Sequence, residues 1–306
     1  MGACANCSLT DRLFMSGEVV LFSATSYLLH RLEGFLDAYA PVQRHHATLS
    51  VQVPRFKDFV QALSSGLELT DAERNRLHLA HLAPGEGYGP DLLSKTRSLA
   101  QWARLTEDDL LLDILRREAL AIHFQPIVDL RTNSLYGFEC LTRGINARGD
   151  LVPPGRLLDT ARHTDMLFNL DRLMREKALR AGHAAQIKEH LFINFVPTAV
   201  YNPNFCLKST VAWVESLQLD PTKIIFEVVE TEAIQDNSHL LSILKYYRAC
   251  GFKIALDDVA AGYSGLLQLL TIRPDIMKID RQVIDGIHAD AEKQSLLRAM
   301  MGVARD

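Results

Sequence analysis

Apolar and polar residues follow mixed short patterns in the first part of this 306-residue chain. Two apolar or alternating runs predict strands, and three stretches with apolar residues at helical spacing predict helices. The predicted strands are Val19–Phe22 and Ala47–Val53, and the predicted helices are Thr25–Tyr39, one that starts at Pro54, and Thr70–Leu82. Thr70 and Glu73 are spaced to form a capping box. We therefore predict a small α+β domain over residues 1–83, and no chemically reactive cluster appears within it.

A Gly/Pro-rich segment, PGEGYGP at residues 84–90, interrupts this pattern and predicts a break between domains. Asp91–Arg117 then has helical spacing and ends in the strongly amphipathic sequence LLLDILRREAL. We expect residues 84–117 to form a linker and connecting helix, and residues 118–306 to form a second domain.

Strand-like and helix-like segments alternate from Ala119 onward, and this alternation predicts a parallel sheet covered by helices. The predicted strands are Ala121–Leu130, Ser134–Thr142, His190–Phe195, Lys223–Val229, Lys253–Asp257 and Ile276–Ile279. The predicted helices are Pro154–Arg162, Asp165–Ala181, Phe205–Leu217, Ser238–Cys250, Ser264–Leu270 and Lys293–Val303. Six strands in about 190 residues fit an α/β fold of the (β/α) barrel type that lacks its last units. The short link Arg131–Asn133 predicts that the first two strands pair antiparallel.

The overall composition is that of a globular protein, with 48% hydrophobic and 23% charged residues. The net charge of −4 gives no indication of a DNA partner. The most apolar early segment, Val19–Leu29, is too short to span a bilayer, and the N-terminus does not resemble a secretory signal. We expect a cytoplasmic protein without a membrane segment.

Five cysteines occur in the chain. Cys140, Cys206 and Cys250 are scattered, which is typical of small buried side chains. The remaining two, Cys4 and Cys7, form a CxxC, which is half of a zinc site. Two interpretations stay open for this pair: an incidental part of the terminus, or a zinc or redox site.

Polar side chains lie in or directly after five of the predicted strands. They are Glu139, Asn194, Glu227, the pair Asp257 and Asp258, and Lys278. Consecutive strand ends converge on one face of a barrel, so we expect these groups to meet. Carboxylate and amide oxygens are the ligands that Mg²⁺ and Mn²⁺ prefer, and two such ions can promote attack on a phosphodiester. A lysine beside them can hold water or neutralise developing charge.

Each of these residues also has a structural interpretation. Asp258 could cap a following helix, Asn194 could satisfy backbone groups, and Lys278 could pair with Asp280. Glu139 and Glu227 are harder to explain in that way, because a carboxylate inside an apolar strand needs a cation or hydrogen bonds.

Five motifs in residues 118–306 together resemble the EAL domain family. They are FQPIVDLRTNSLYGFECLTRG (Phe124–Gly144), INFVP (Ile193–Pro197), FEVVET (Phe226–Thr231), ALDDVAAGYSGL (Ala255–Leu266) and MKID (Met277–Asp280). Members of this family are cyclic di-GMP phosphodiesterases with a modified TIM barrel. The resemblance implies a Mg²⁺- or Mn²⁺-dependent, two-metal hydrolysis of cyclic di-GMP to linear pGpG.

The resemblance also implies roles for single residues. Glu139, Asn194, Glu227 and Asp257 match metal-binding positions, and Asp258 matches the acid that serves the second metal. Glu139, Asp258 and Lys278 are the implied catalytic residues, with Lys278 near the attacking water. The positions that hold the dinucleotide are matched by Gln125, Leu141 and Arg143. Glu230 matches the glutamate that anchors the loop after the fifth strand.

Three departures from the family pattern stand out. Cys140 replaces the alanine of the signature, which is a change between small residues. The loop that reads DDFGTGYS in the family reads DDVAAGYS here, so Val259, Ala260 and Ala261 differ. In the family this loop couples dimerisation to activity, and the resemblance implies a homodimer formed through the barrel. Finally, the family continues beyond Ala304 with a further catalytic glutamate, and the chain ends about 50 residues short of a barrel of usual size.

We therefore expect a fragment of a longer protein that is itself poorly active. The leading hypothesis is a cyclic di-GMP phosphodiesterase with an N-terminal regulatory or partner-binding domain. The alternative is a catalytically inactive cyclic di-GMP receptor, which the altered loop and the absent C-terminal part favour and the intact metal positions disfavour. A third reading makes residues 1–117 the functional part and the barrel a dimerisation scaffold.

Overall fold

A computed structural model describes residues 9–45, 48–229, 237–259 and 265–304. Its contacts divide the chain into two compact units. The first comprises Met1–Ala119 and Gly144–Leu170, and the second comprises Leu120–Arg143 and Asp171–Asp306. The domain boundaries at residues 83 and 117 stay a prediction.

The described part of the first 117 residues contains both strands and helices. The strands are β1 (Gly17–Phe22), β2 (Val42–His45), β3 (Thr48–Val53), β4 (His78–Leu82) and β5 (Thr96–Ser98). The helices are α1 (Leu9–Leu13), α2 (Ser26–Tyr39), α3 (Phe56–Gly66), α4 (Asp71–Arg76), α5 (Leu99–Leu105) and α6 (Asp109–Arg117). The strands form one sheet in the order β2-β3-β1-β4-β5, and every neighbouring pair is antiparallel. A small α+β region thus precedes the second sheet in the sequence, as predicted, and its sheet includes β5, which lies beyond residue 83.

The predicted helix Thr70–Leu82 is wrong beyond Arg76. Its start is confirmed, because the Thr70 side chain accepts the N–H of Glu73 and the Glu73 side chain accepts that of Thr70. The chain then forms β4, which pairs with β1 and is almost entirely buried. A short apolar run does not distinguish a buried strand from a buried helix by its periodicity, and the pairing with β1 decides it here.

The predicted helix Asp91–Arg117 is also wrong as a single element. A 3₁₀ turn and the short strand β5 precede α5, and α6 follows separately. Both helices begin at side-chain caps: Ser98 accepts the N–H of Gln101, and Asp108 accepts the N–H of Leu111 at 2.8 Å. Each cap starts a separate helix, so the continuous apolar pattern of the sequence forms two helices and not one.

The rest of the chain has the predicted alternation. The strands are β6 (Leu120–Asp129), β7 (Ser134–Ile145), β8 (Leu151–Val152), β9 (His190–Asn194), β10 (Ile224–Val229), β11 (Lys253–Val259) and β12 (Ile276–Ile279). The helices are α7 (Pro154–His163), α8 (Leu167–Ala184), α9 (Pro203–Cys206), α10 (Lys208–Ser216), α11 (Asn237–Ala249), α12 (Gly265–Ile272), α13 (Arg281–Ile284) and α14 (Ala291–Val303). The one helix predicted over Phe205–Leu217 is therefore two helices, and the break falls at Leu207.

The second sheet has the order β12-β11-β10-β9-β7-β6, with β8 paired to β7. Its pairs β7–β9, β9–β10, β10–β11 and β11–β12 are parallel. Crossover helices connect most of these strands, and the sheet is curled as in part of a β/α barrel. The predicted α/β fold of the modified TIM barrel type, with a small α+β region before it, is confirmed. No helix in the described ranges is long and apolar enough to cross a membrane.

An ion pair joins helix α1 to the segment that follows β4. Arg12 donates to both carboxylate oxygens of Glu86 at 2.9 Å and to the carbonyl of His81 at 3.1 Å. The hydrogen bonds from Arg12 lower the pKa of Glu86 to about 2. Glu86 lies in the segment at residues 84–90, so this Gly/Pro-rich stretch is tied to α1 by charge.

His81 is a buried histidine in the core of the same unit. Its ring stacks on Phe56 with the ring centroids 4.8 Å apart. Neither ring nitrogen has a hydrogen-bond partner among the residues that the structure describes. Burial, together with the positive charge of Arg12, lowers the pKa of His81 from 6.5 to about 4. The folded state therefore holds a neutral imidazole.

We predict that this unit loses stability as the pH falls from 6.5 to about 4. A depressed folded-state pKa means that the unfolded chain takes up the proton first, so the contribution is full above pH 6.5. Its size is on the order of 3 kcal/mol. A His81→Phe variant keeps a ring against Phe56 and should flatten this pH dependence. Urea unfolding followed by Trp102 fluorescence in a Trp213→Phe background measures it.

His78 supplies the matched control for this experiment. It lies in the same strand and its ring stacks on Phe22, but its side chain is partly exposed. His78→Phe should leave the slope of stability against pH unchanged. A slope for His81→Phe equal to that of the parent would contradict the role assigned to the buried ring.

Candidate functional site

Four neighbouring strands carry a polar side chain two residues after an apolar one. The apolar residues are Phe192, Ile225, Ala255 and Ile276, which pack together. The polar residues two positions further are Asn194, Glu227, Asp257 and Lys278. Side chains two apart in a strand lie on the same face, so the second set forms a polar layer above the apolar one. The strand register supports this, with Asn194 opposite Glu227.

The ammonium group of Lys278 lies among three carboxylates. Its Nζ is 2.7 Å from Glu227 Oε1, 3.0 Å from Asp257 Oδ2 and 3.4 Å from Glu139 Oε2. One oxygen from each of these acids lies within 4.8 Å of the other two. The parallel strands β7, β10, β11 and β12 thus bring together residues that are up to 139 positions apart in the sequence.

Glu227 is the most confined member of this group. Its side chain is fully buried, and its Oε2 has no hydrogen-bond partner within the described part of the chain. Burial raises the pKa of Glu227 to about 7; Lys278 opposes this rise, and the neighbouring Glu139 adds to it. A buried carboxylate oxygen without a donor is costly, so this position is suited to a cation.

Lys278 stays charged in this setting. Burial by itself lowers the pKa of Lys278, but the carboxylates of Glu227, Asp257 and Glu139 outweigh that effect and raise it. The alternative pairing of Lys278 with Asp280 does not occur among the ion pairs described. Asp280 instead accepts the N–H of Gln282 and caps α13.

Asp258 lies beside this group but is not one of its three acids. It occupies β11 where the pairing with β12 shifts register, and its φ is +56°. Its N–H donates to Asp257 Oδ1 at 3.0 Å, and burial, followed by the charge of Asp257, raises its pKa. The helix-cap interpretation does not hold, because Asp258 is inside a strand and the next described helix begins at Gly265.

The residues implied for dinucleotide binding lie on β6 and β7. Glu139, Leu141 and Arg143 are each two residues apart along β7, so their side chains share one face of the strand. Leu141 and Arg143 are both partly buried. Arg143 donates to the carbonyl of Thr142 at 2.8 Å. Gln125 is exposed on β6.

Several predicted residues lie outside the described ranges. Glu230 and the loop residues Ala260 and Ala261 are among them, whereas Val259 is described and fully buried at the end of β11. Cys4 and Cys7, for which a zinc or redox site is one of the open interpretations, also lie outside these ranges.

The donor set fits a divalent cation. All three acids offer oxygen, the preferred donor of Mg²⁺ and Mn²⁺, and their oxygens are close enough to share one ion. The unpartnered oxygen of Glu227 is a further sign of fit. Glu139, Glu227 and Asp257 would hold the ion, and the ammonium of Lys278 lies at the same place.

One contact near this site was not expected from the sequence. Asp171 on α8 accepts the backbone N–H of Val196, two residues after Asn194. The only sequence signal is an Asp and an Arg four residues apart within an apolar helical pattern, which many helices share.

Comparison with known proteins places these observations in context. The family model for the EAL domain matches residues 107–306. The Escherichia coli K12 protein named Probable cyclic di-GMP phosphodiesterase PdeG is 26% identical over 204 residues, which cover 65% of this chain and 40% of PdeG. This chain therefore spans less than half the length of that relative.

Two solved structures are similar to the chain. A standalone versatile EAL protein from Vibrio cholerae O395, in its c-di-GMP bound form, is 32% identical with a TM-score of 0.54, covering 60% of this chain and 76% of that one. Klebsiella pneumoniae BlrP1, a manganese/cy-diGMP complex, is 19% identical with a TM-score of 0.54, covering 95% of this chain and 88% of that one. The second similarity concerns the fold alone.

We predict that Lys278→Met destabilises the protein in buffer with a chelator. Three acids then face one another without a cation, and breaking a buried ion pair in this way costs about 3 kcal/mol. Added Mn²⁺ should recover most of the loss, because a divalent ion can take the place of the ammonium. Thermal unfolding with EDTA and with Mn²⁺ measures both effects.

Lys245→Met is the control, since Lys245 is exposed on α11. It should unfold like the parent in both buffers. If Lys278→Met also matches the parent in EDTA, the ammonium does not stabilise the acid group.

Proposed function

The chain belongs to the EAL domain family, and we propose from this membership that it hydrolyses cyclic di-GMP to linear pGpG with two Mg²⁺ or Mn²⁺ ions. One observation carries the proposal: the carboxylates of Glu139, Glu227 and Asp257 meet around a single cationic group at the ends of the barrel strands. The relative PdeG carries the name Probable cyclic di-GMP phosphodiesterase, and the Vibrio cholerae EAL protein was solved with c-di-GMP bound, which supports the choice of substrate.

We assign the metal-binding role to five residues. They are Glu139, Asn194, Glu227 and Asp257 for the first ion, and Asp258 for the second. Such ions supply Lewis acidity and make water a better nucleophile at neutral pH. Glu227 contributes a buried carboxylate whose raised pKa reflects its burial beside other acids. Binding a cation would favour its ionised form.

Lys278 is the proposed catalytic cation. It touches three acids in the protein alone, and its charged form is favoured by them. We propose that it orients the attacking water and balances the charge that develops on the phosphodiester. It must move from the centre of the acids when the ions bind, because the ammonium and a divalent ion compete for the same oxygens.

Arg143, Leu141 and Gln125 are the proposed contacts to the dinucleotide. An arginine offers a planar fork of N–H donors that matches a phosphate. Arg143 and Leu141 share a face with Glu139, which supports a substrate that lies along β7 toward the metal site. Glu230 stays a prediction as the residue that anchors the loop after β11.

A second candidate function is that of a cyclic di-GMP receptor without catalysis. The loop sequence DDVAAGYS favours it, because Val259–Ala261 differ from the pattern common in the family.

We further propose that residues 1–83 form a regulatory or partner-binding domain. We also propose that the protein dimerises through its barrel, and analytical ultracentrifugation would test this oligomeric state.

The test is hydrolysis of cyclic di-GMP by the full-length protein with Mg²⁺ or Mn²⁺. We expect turnover to linear pGpG, and we expect Glu139→Gln to reduce kcat by at least about 100-fold because it removes one acid of the metal group. Glu215→Gln, an exposed acid on α10, is the control and should retain full activity. Binding of the nucleotide without turnover by the parent protein would support the receptor instead.

A second prediction concerns substrate binding. Arg143→Ala should raise KM for cyclic di-GMP by roughly 10-fold to 100-fold, since a charge-assisted hydrogen bond to a phosphate is lost. The value of kcat should fall much less, and Arg143→Lys should recover only part of the affinity because it lacks the fork of donors. An unchanged KM, or an unchanged Kd for the nucleotide if the protein binds it without turnover, would remove Arg143 from the binding site.

A further inference from the structure

Helix α8 contains a fully buried ion pair that the proposed chemistry does not use. The side chains of Asp171 and Arg175 are 2% and 0% exposed. Arg175 Nε and Nη2 both donate to Asp171 Oδ2, at 3.0 and 2.8 Å. Burying two charges is expensive, and a pair of apolar residues can serve stability as well or better. The pair therefore calls for an explanation other than packing.

The second oxygen of Asp171 points to that explanation. Asp171 Oδ1 accepts the backbone N–H of Val196 at 2.8 Å. Strand β9 ends at Asn194, and the N–H of Phe195 donates to the carbonyl of Glu227 at 3.2 Å. The two peptide groups after Asn194 are thus fixed, one by the neighbouring strand and the other by the carboxylate of Asp171.

A third contact holds the ion pair in place. Arg175 Nη1 donates to the hydroxyl of Thr210, a buried residue on α10. Arg175 is therefore bound from two helices, and Asp171 is bound by Arg175 on one oxygen and by Val196 on the other. Each group in this chain of hydrogen bonds has a partner, which makes the arrangement rigid.

We propose that Asp171, held by Arg175 and Thr210, is a positioning residue for Asn194 in the metal site. It fixes the backbone at the exit of β9, and so the direction in which the Asn194 amide oxygen points. This inference rests on the proposed function, which assigns Asn194 to the first ion. Groups that orient a ligand without touching the ion affect metal affinity strongly.

The decisive variant removes the charges and keeps the packing. Asp171→Leu combined with Arg175→Met retains an apolar core but leaves the N–H of Val196 without its acceptor. We expect near-parental thermal stability, Mn²⁺ binding to the metal-free protein weakened roughly 10-fold in calorimetry, and kcat reduced by a similar factor with KM nearly unchanged. Stable protein with parental Mn²⁺ affinity overturns the proposal.

The matched control is a second ion pair on the same helix. Arg180 and Glu176 are also four residues apart, with Nε 2.8 Å from Oε1, but the side chain of Arg180 is 50% exposed. Arg180→Met combined with Glu176→Leu should leave Mn²⁺ affinity and kcat unchanged. An equal loss in this control would assign the effect to α8 in general and overturn the proposal.

A double-mutant cycle with Asn194→Ala separates this inference from the function on which it rests. Asn194→Ala should weaken Mn²⁺ binding, and adding the Asp171/Arg175 changes should then weaken it little further. Full additivity contradicts positioning through Asn194. If Asn194→Ala binds Mn²⁺ like the parent, the proposed ligand set is wrong as well. If the parent protein binds Mn²⁺ but does not hydrolyse cyclic di-GMP, the proposed hydrolase function is wrong. The double-mutant cycle still tests the positioning of Asn194, because its readout is Mn²⁺ affinity.

Thr210→Val covers the case in which the double variant does not fold. It removes the hydroxyl that Arg175 contacts and changes little volume. We expect a Mn²⁺ affinity reduced about threefold, in the direction of the double variant. An affinity equal to that of the parent contradicts the chain of contacts from Thr210 to Val196.

Discussion

Charge compensation at Glu227 is the constraint on which this end of the barrel depends. A carboxylate in a fully buried position needs a cation close by, and Lys278 supplies one at 2.7 Å. The same ammonium also balances Asp257 and Glu139, so four strands are coupled through one charged group. A divalent ion meets the same electrostatic need, which explains how one set of residues can be stable alone and still be suited to bind metal.

The parallel sheet makes this coupling possible. Its neighbouring strands β9, β10, β11 and β12 run in one direction, so apolar residues such as Phe192 and Ile225 form a layer, and the residues two positions further along each strand form a polar layer above it. The position of each polar side chain in that layer also depends on the backbone that follows its strand. The contact from Asp171 to Val196 acts there, at the exit of β9, where the ladder of the sheet no longer fixes the chain.

Much of this could be predicted from local patterns. The six predicted strands of the second sheet agree with the structure to within three residues at each end, whereas the two-residue strand β8 was not predicted. Buried parallel strands are short apolar runs, which makes them recognisable in a sequence. The same reasoning was wrong for His78–Leu82, where pairing with β1 overrides helical spacing. It was wrong again for Asp91–Arg117, where the caps at Ser98 and Asp108 divide one apolar pattern.

The sequence by itself determined the alternation of strands and helices, the family, and the chemical identity of the acids and the lysine. These properties are encoded locally, in periodicity and in short motifs. Only the tertiary structure decided which of those groups meet. The three acids Glu139, Glu227 and Asp257 surround Lys278. Asp258 is not part of this group and lies where the pairing of β11 with β12 shifts register. The tertiary structure alone also showed that Asp171 contacts the backbone N–H of Val196, because contacts between separate elements depend on how the elements pack.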